Sequence, residues 1–224
     1  MASRQLVVPV SDGGVPVHVA GAQDASRAGL VVVPSIFGPA ADLLDHMASL
    51  SDVAFTAVMD PFWRQGGGCI PYGDVDAALA RLEELDRVKC QEDVDAVIRW
   101  VCQQSNGRVI GLGICFGGPW VLVGAARGLL SGVVTWHGSR MESVLDILDG
   151  LSAPLRLHFG DEDPITPPAA IEAITRRFAD HPDCQIVIHP GAQHGFSHEG
   201  AAWDAAATNA GLTDLRDLIT ASSS

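Results

Sequence analysis

The chain has 224 residues, enough for one sizeable domain and short for two. It is 47% apolar and 18% charged, so a filled core is easy to build, and its formal charge of -13 repels nucleic-acid phosphates and anionic lipid. Five scattered cysteines (69, 90, 102, 115 and 184) with no CxxC pair give no support to a disulfide framework or a structural zinc site, and fit reduced thiols in a reducing compartment.

The N-terminal stretch MASRQLVVPVSDGG lacks the apolar segment of a signal peptide, and no run is long enough to span a membrane, so a cytoplasmic location is expected. Leu6–Val10 and Val15–Ala20, separated by Ser-Asp-Gly-Gly, read as a hairpin. Leu30–Pro34 is a continuous apolar run, as in a strand buried on both faces of a parallel sheet. Residues 40–50 read as a helix and Phe55–Met59 as the next strand. The Gly/Pro-rich loop Pro61–Gly73 is long enough to suggest a functional role. Residues 74–104 carry Ala, Leu, Glu and Arg at helical spacing, as two helices or one broken one.

Arg108–Leu112, Gly132–Trp136, Leu155–Phe159 and Gln185–His189 complete the strands, with helices over 116–127, 141–149, 167–179 and 201–219. This alternation predicts an α/β architecture, a mainly parallel central sheet with helices on both faces and right-handed crossovers. No internal repeat or linker divides residues 1–224, and low complexity is confined to the Ser222–Ser224 tail.

The most specific local signal is Gly113-Ile114-Cys115-Phe116-Gly117-Gly118, directly after one strand and before a helix. In a nucleophile elbow, G-x-Nu-x-G, the glycines stand where a side chain would clash in a sharp strand-to-helix turn. The helix N-terminus behind it favours thiolate over thiol, and the amide of Phe116 points where an oxyanion forms. This fold presents nucleophile, acid and histidine in that chain order. Gly160-Asp161-Glu162-Asp163-Pro164 follows a late strand, and either Asp161 or Asp163 is placed to be the acid.

His194 lies in a Gly-flanked loop after the last strand and is the candidate base; His189 ends that strand. A His194/His198 metal pair lacks the Glu of HExxH and a third ligand, so no metal and no cofactor is expected. His18, His46, His158 and His181 read as strand or surface residues, while His137, just past a strand, can line a pocket. The implied chemistry is acyl transfer: His194 takes or shares the Cys115 proton, the acid orients the imidazole, and the thiolate attacks an ester or lactone carbonyl. The backbone amides of Phe116 and Ile36 would hold the oxyanion. Trp63, Tyr72, Trp136 and Phe196 are candidate walls of the substrate pocket.

These features together resemble the dienelactone hydrolase family, the carboxymethylenebutenolidases of aromatic degradation, which have the α/β-hydrolase fold. The landmarks are SIFG at 35–38, DPFWRQ at 60–65, GICFGG at 113–118, GDEDPITP at 160–167 and GAQHGF at 191–196, across most of the chain. The resemblance places the triad on Cys115, Asp163 and His194 and implies that Arg64 binds a substrate carboxylate. Two positions depart from the pattern. Ser35 stands where the family has a Glu that helps deprotonate the thiol, and His198 where it has a second carboxylate-binding arginine. The expected partner is a small, planar ester or lactone, carboxylated or not, with the protein a monomer or small homo-oligomer. A thioesterase and a catalytically weak binding or thiol-redox protein are the other functions compatible with these residues.

Overall fold

The computed structural model describes residues 4–222; Met1–Ser3 and the last two serines of the tail lie outside the described residues. Eight strands form one sheet in the order β1-β2-β4-β3-β5-β6-β7-β8. The hairpin β1 (Arg4–Val10) and β2 (Gly13–Ala20) is antiparallel, and β2 also meets β4 (Ala54–Met59) antiparallel. From β4 onward the sheet is parallel, through β3 (Ala28–Val33), β5 (Val109–Ile114), β6 (Gly132–Trp136), β7 (Leu155–Gly160) and β8 (Cys184–His189). The mainly parallel α/β sheet expected from the alternation is observed, in the arrangement of the α/β-hydrolase fold that the resemblance implies.

Continuous apolar sequence becomes double-sided burial. Every residue of β3, β4 and β5 is buried, because helices cover both faces of these central strands. The crossover β3–α1 (Ala41–Ala48)–β4 runs in one direction along the sheet. The crossovers through α3 (Arg87–Gln104) and α4 (Gly117–Ala126) run in the other. With right-handed connections, that reversal puts α1 on the opposite face from α3 and α4. The C-terminal α6 (Ala205–Ala221) packs on β3, β5, β6 and β7, and Arg216 reaches Asp52 beyond α1 to tie the two elements together.

The reversal opens a crevice at the carboxyl ends of β3 and β5, where ligands of open α/β sheets bind. Both the loop after β3 and the turn at Cys115 lie there. Residues 74–104 form two helices, α2 (Val75–Glu83) and α3, each started by an aspartate side chain that accepts helix N–H groups: Asp74 from Ala77, and Asp86 from Val88 and Lys89. The stretch 141–149, expected as an α-helix, is a 3₁₀ helix over Met141–Ile147. It packs against α4 and α5 (Pro168–Arg177), with Met141 buried and Ile147 exposed.

Candidate functional site

Cys115 sits in the turn between β5 and α4 with φ of 51°, a left-handed conformation rare outside glycine. Its neighbours permit this. A Cβ on Gly117 would stand 1.9 Å from the Val33 carbonyl oxygen, and one on Gly113 would stand 2.6 Å from that of Gly117. The turn is fastened by Cys115 N–H donating to Trp136 O at 3.0 Å, and by Ser139 N–H donating to Cys115 O at 3.0 Å. Strain held in place by surrounding contacts is typical of a reacting residue.

The sulfur meets a defined set of groups. His194 Nε2 lies 3.1 Å away, Ser139 Oγ lies 3.7 Å away, and the Phe116 N–H is directed at the sulfur. His194 Nδ1 is 2.7 Å from Asp163 Oδ2. The other oxygen of Asp163 accepts from the amides of Ile165 at 2.7 Å and Thr166 at 3.1 Å, which fixes the carboxylate. Asp161, the alternative acid, is instead exposed and accepts from Gly191 N–H at 2.6 Å, strapping the acid loop to the histidine loop. Of the two, only Asp163 is hydrogen-bonded to His194.

Burial works against charge on Cys115, but His194, with help from Ser139 and the Phe116 amide, outweighs it and holds the thiol below its ordinary value. Burial likewise works against charge on His194, yet Asp163 and Cys115 raise it well above an ordinary imidazole. The directions agree on a thiolate–imidazolium pair.

A cavity of about 520 Å³ adjoins this turn and includes Phe116, Ile36 and Ser139 in its wall. Other sequence-predicted residues stand elsewhere. Arg64 does not reach the cavity: its guanidinium is ion-paired with Asp93 and, at 2.7 Å, with Asp12, and lies over the Trp63 ring at 4.1 Å. It lines a separate small depression with Asp12 and Asp93. Trp63 donates its Nε1–H to Asp93 at 2.9 Å and packs against Gly13 in the hairpin, so it is not a pocket wall. Trp136 is fully buried against α6, where a Cβ on Gly211 would come within 2.3 Å of its Nε1. Ser35 is buried in the loop after β3, its Oγ accepting from Phe37 N–H at 3.4 Å.

Behind the triad lies a cluster of rings. His137, φ 39°, is buried edge-on to His194 at 4.9 Å, Phe196 at 4.9 Å and His198 at 5.0 Å. Its Nε2 shares a 2.8 Å hydrogen bond with Ser197 Oγ. Phe196 is fully buried and reaches no wall. His198 stacks on Tyr72 at 4.4 Å, and burial holds it down to about 4, so it carries no charge with which to grip a carboxylate. Tyr72 O–H donates to Asp42 at 2.7 Å and is engaged in this inner cluster.

One donor atom each from Cys115, His137 and His194 lies within 4.8 Å of the others, a sulfur-and-imidazole set of the kind zinc accepts. Both ring nitrogens of His194 are already engaged by Asp163 and Cys115, so a metal there would have to break that chain.

Ser139, Arg140 and Arg81 were missed in the sequence. Ser139 and Arg140 carry one weak signal, their position just past the carboxyl end of a central strand. Arg81, on α2, donates to the carbonyls of Ile36 at 2.8 Å and Gly68 at 2.9 Å, holding the loop after β3 against the glycine loop. Nothing local in the sequence marks it.

The dienelactone hydrolase family model matches residues 15–222. Over 180 residues the chain is 27% identical to a carboxymethylenebutenolidase of Pseudomonas putida, covering 77% of this chain and 76% of that protein. Over 188 residues it is 29% identical to a probable 2-oxo-3-(5-oxofuran-2-ylidene)propanoate lactonase of Bradyrhizobium sp, covering 76% of this chain and 73% of the other. A putative dienelactone hydrolase of Klebsiella pneumoniae superposes with a TM-score of 0.82 at 20% identity, covering 97% of both chains, which shows the shared fold. The chain belongs to the dienelactone hydrolase family and is a hydrolase of the ester and lactone type.

Proposed function

We propose that this protein hydrolyses a small ester or lactone through an acyl-enzyme on Cys115, with His194 as base and Asp163 as its orienting acid. The observation that carries this is the unbroken chain from sulfur to Nε2 at 3.1 Å and from Nδ1 to carboxylate at 2.7 Å. The thiolate adds to the carbonyl carbon, and the oxyanion is received by the amides of Phe116 and Ile36. Collapse expels the alcohol, or opens the lactone ring, with the proton supplied by the His194 imidazolium. Neutral His194 then activates a water that cleaves the thioester and restores the pair.

Lactone hydrolysis, with a role in aromatic degradation, is the substrate reading supported by the names of the Pseudomonas and Bradyrhizobium relatives. Five free cysteines support a reducing, cytoplasmic setting, and among the described residues no helix is long and apolar enough to cross a membrane. One sheet with one hydrophobic core supports a single catalytic domain.

The test is steady-state turnover of a dienelactone, an uncharged aryl ester and a thioester, wild type beside Cys115→Ala. Turnover that vanishes in the variant while its fold is retained supports the proposal. Undiminished turnover in Cys115→Ala overturns the nucleophile, and thioester turnover alone would move the protein to the thioesterase reading.

A further inference from the structure

The cavity beside Cys115 is larger and differently charged than a five-membered lactone requires. Its volume of about 520 Å³ is on the scale of drug-sized ligands. Its wall adjoins the nucleophile without including it: Phe116, the residue after Cys115, and Ser139, whose Oγ lies 3.7 Å from the sulfur, both line it. From there its wall runs over Trp120 and Val123 of α4 towards Val88 at the start of α3 and Val144 and Ile147 of the 3₁₀ helix. Val88 is 70% exposed and Ile147 63% exposed, yet both border this concavity. Exposed aliphatic side chains gathered round one hollow mark a surface meant to be covered by an apolar ligand.

The charged lining is predominantly cationic. Arg87, Arg127 and Arg140 border the cavity, against one carboxylate, Glu92. Arg127 is committed to Asp95 at 2.5 Å. Arg87 and Arg140 form no ion pair among the described residues. In a chain of formal charge -13, two uncommitted guanidiniums at the edge of an apolar hollow are a distinct local feature. The two residues that the family pattern would assign to anion binding are unavailable here. Arg64 is neutralised by Asp12 and Asp93, and His198 is buried without charge.

We propose that this cavity takes the acyl part of an elongated, apolar ester bearing a distal carboxylate, which Arg140 and Arg87 hold by charge-assisted hydrogen bonds. The inference rests on Cys115 as the nucleophile: a cavity walled by Phe116 and Ser139 lies next to the sulfur, within reach of the acyl group that stays bonded there after the alcohol leaves. The substrate class is a hemiester of a medium-chain dicarboxylic acid. Hydrolysis breaks the distant ester bond with one water and releases the alcohol and the dicarboxylate. The anion subsite has moved from the glycine-rich loop of Arg64 to the segment following β6.

Two measurements separate this proposal from the catalytic one. The first is calorimetric binding of octanoate and 1-octanol to the wild type, Arg140→Gln and Val144→Trp, which needs no turnover. Octanoate should bind about tenfold or more tightly than the alcohol, the scale of a charged hydrogen bond. Arg140→Gln should remove that preference, and Val144→Trp should weaken both ligands. The second is the ratio of kcat/KM for the 4-nitrophenyl hemiester of suberic acid to that for 4-nitrophenyl acetate. This ratio should exceed one in the wild type and fall about tenfold in Arg140→Gln. Octanoate and octanol bound alike, or a ratio unmoved by Arg140→Gln, overturns the anion subsite. Acetate turned over with no octanoate binding overturns the whole proposal and leaves the triad standing. Arg140-dependent octanoate binding with no ester turned over supports the cavity and sinks the nucleophile assignment.

Discussion

The sulfur of Cys115 and Nε2 of His194 stand 3.1 Å apart, and each holds the other's charged form in place. Burial alone would push the thiol up and the imidazole down; their pairing, with Asp163 behind His194, reverses both, and His194 is pushed up to about 10. Both shifts favour the thiolate–imidazolium pair over the neutral one. Activity should fall on the acid side as the thiolate takes its proton, and on the alkaline side as His194 loses its own near pH 10. Without the imidazole, burial of Cys115 is poorly opposed. His194→Gln should move the inflection for Cys115 alkylation by iodoacetamide to a higher pH than in the wild type, above the ordinary thiol value of about 8.5. Identical inflections in the two proteins would mean that His194 does not ionise the thiol.

Asp163 and Asp161 are two residues apart in one loop, and their substitutions should diverge. Asp163→Asn leaves a neutral amide at His194 Nδ1, free to flip and favour the wrong tautomer; kcat should fall by about 10³-fold. Asp161→Asn loses only a strap to the Gly191 amide at an exposed position, and its kcat should stay within about threefold of wild type. Equal losses in the two variants, by steady-state kinetics on one aryl ester, would remove Asp163 from its orienting role.

The contrast between what was legible and what was not follows from range. The buried runs of β3, β4 and β5 and the strand–elbow–helix at Cys115 are written in consecutive residues, so their periodicity and glycine spacing announce them. The triad was legible because its chain order is fixed by the topology. The substrate-binding residues were not. Whether Arg64 faces a ligand depends on Asp12 and Asp93, 52 and 29 positions away, and no local pattern carries that information. Trp136 was a candidate pocket wall, but every residue of its strand is buried, and its ring faces α6 at Gly211. Arg140 has only its place just past β6 to mark it in the sequence, and its border on the cavity depends on residues 141–147 folding as a 3₁₀ helix.

Arg64 is thereby a stability residue. The Asp93 side chain is only 2% exposed, so Arg64→Ala leaves a buried carboxylate without its cation, at a cost of about 3 kcal/mol. Urea unfolding should show that loss, and the double variant Arg64→Ala/Asp93→Asn should recover much of it. The ratio of kcat/KM for carboxylated and neutral esters should not move with Arg64→Ala. A selective rise in KM for carboxylated esters would restore the substrate role that the family resemblance implied.

His198 should make the protein sensitive to acid. Burial holds its pKa to about 4, with His194 adding to the effect and Asp42 opposing it, against an ordinary value of 6.5 in the unfolded chain. Between those two values the unfolded chain binds a proton that the folded chain refuses, so stability falls as the pH drops through this window. Over the whole window this one imidazole accounts for roughly 3 kcal/mol at most. His198→Phe keeps a ring against Tyr72 and removes the titration. Its melting temperature at about pH 4.5 should therefore drop less, relative to about pH 7.5, than that of the wild type. His137, held down by burial in the same cluster, leaves a residual acid dependence in the variant. If the wild type and His198→Phe lose the same number of degrees, the imidazole is protonated in the folded state, and His198 would regain the charge needed to bind an anion.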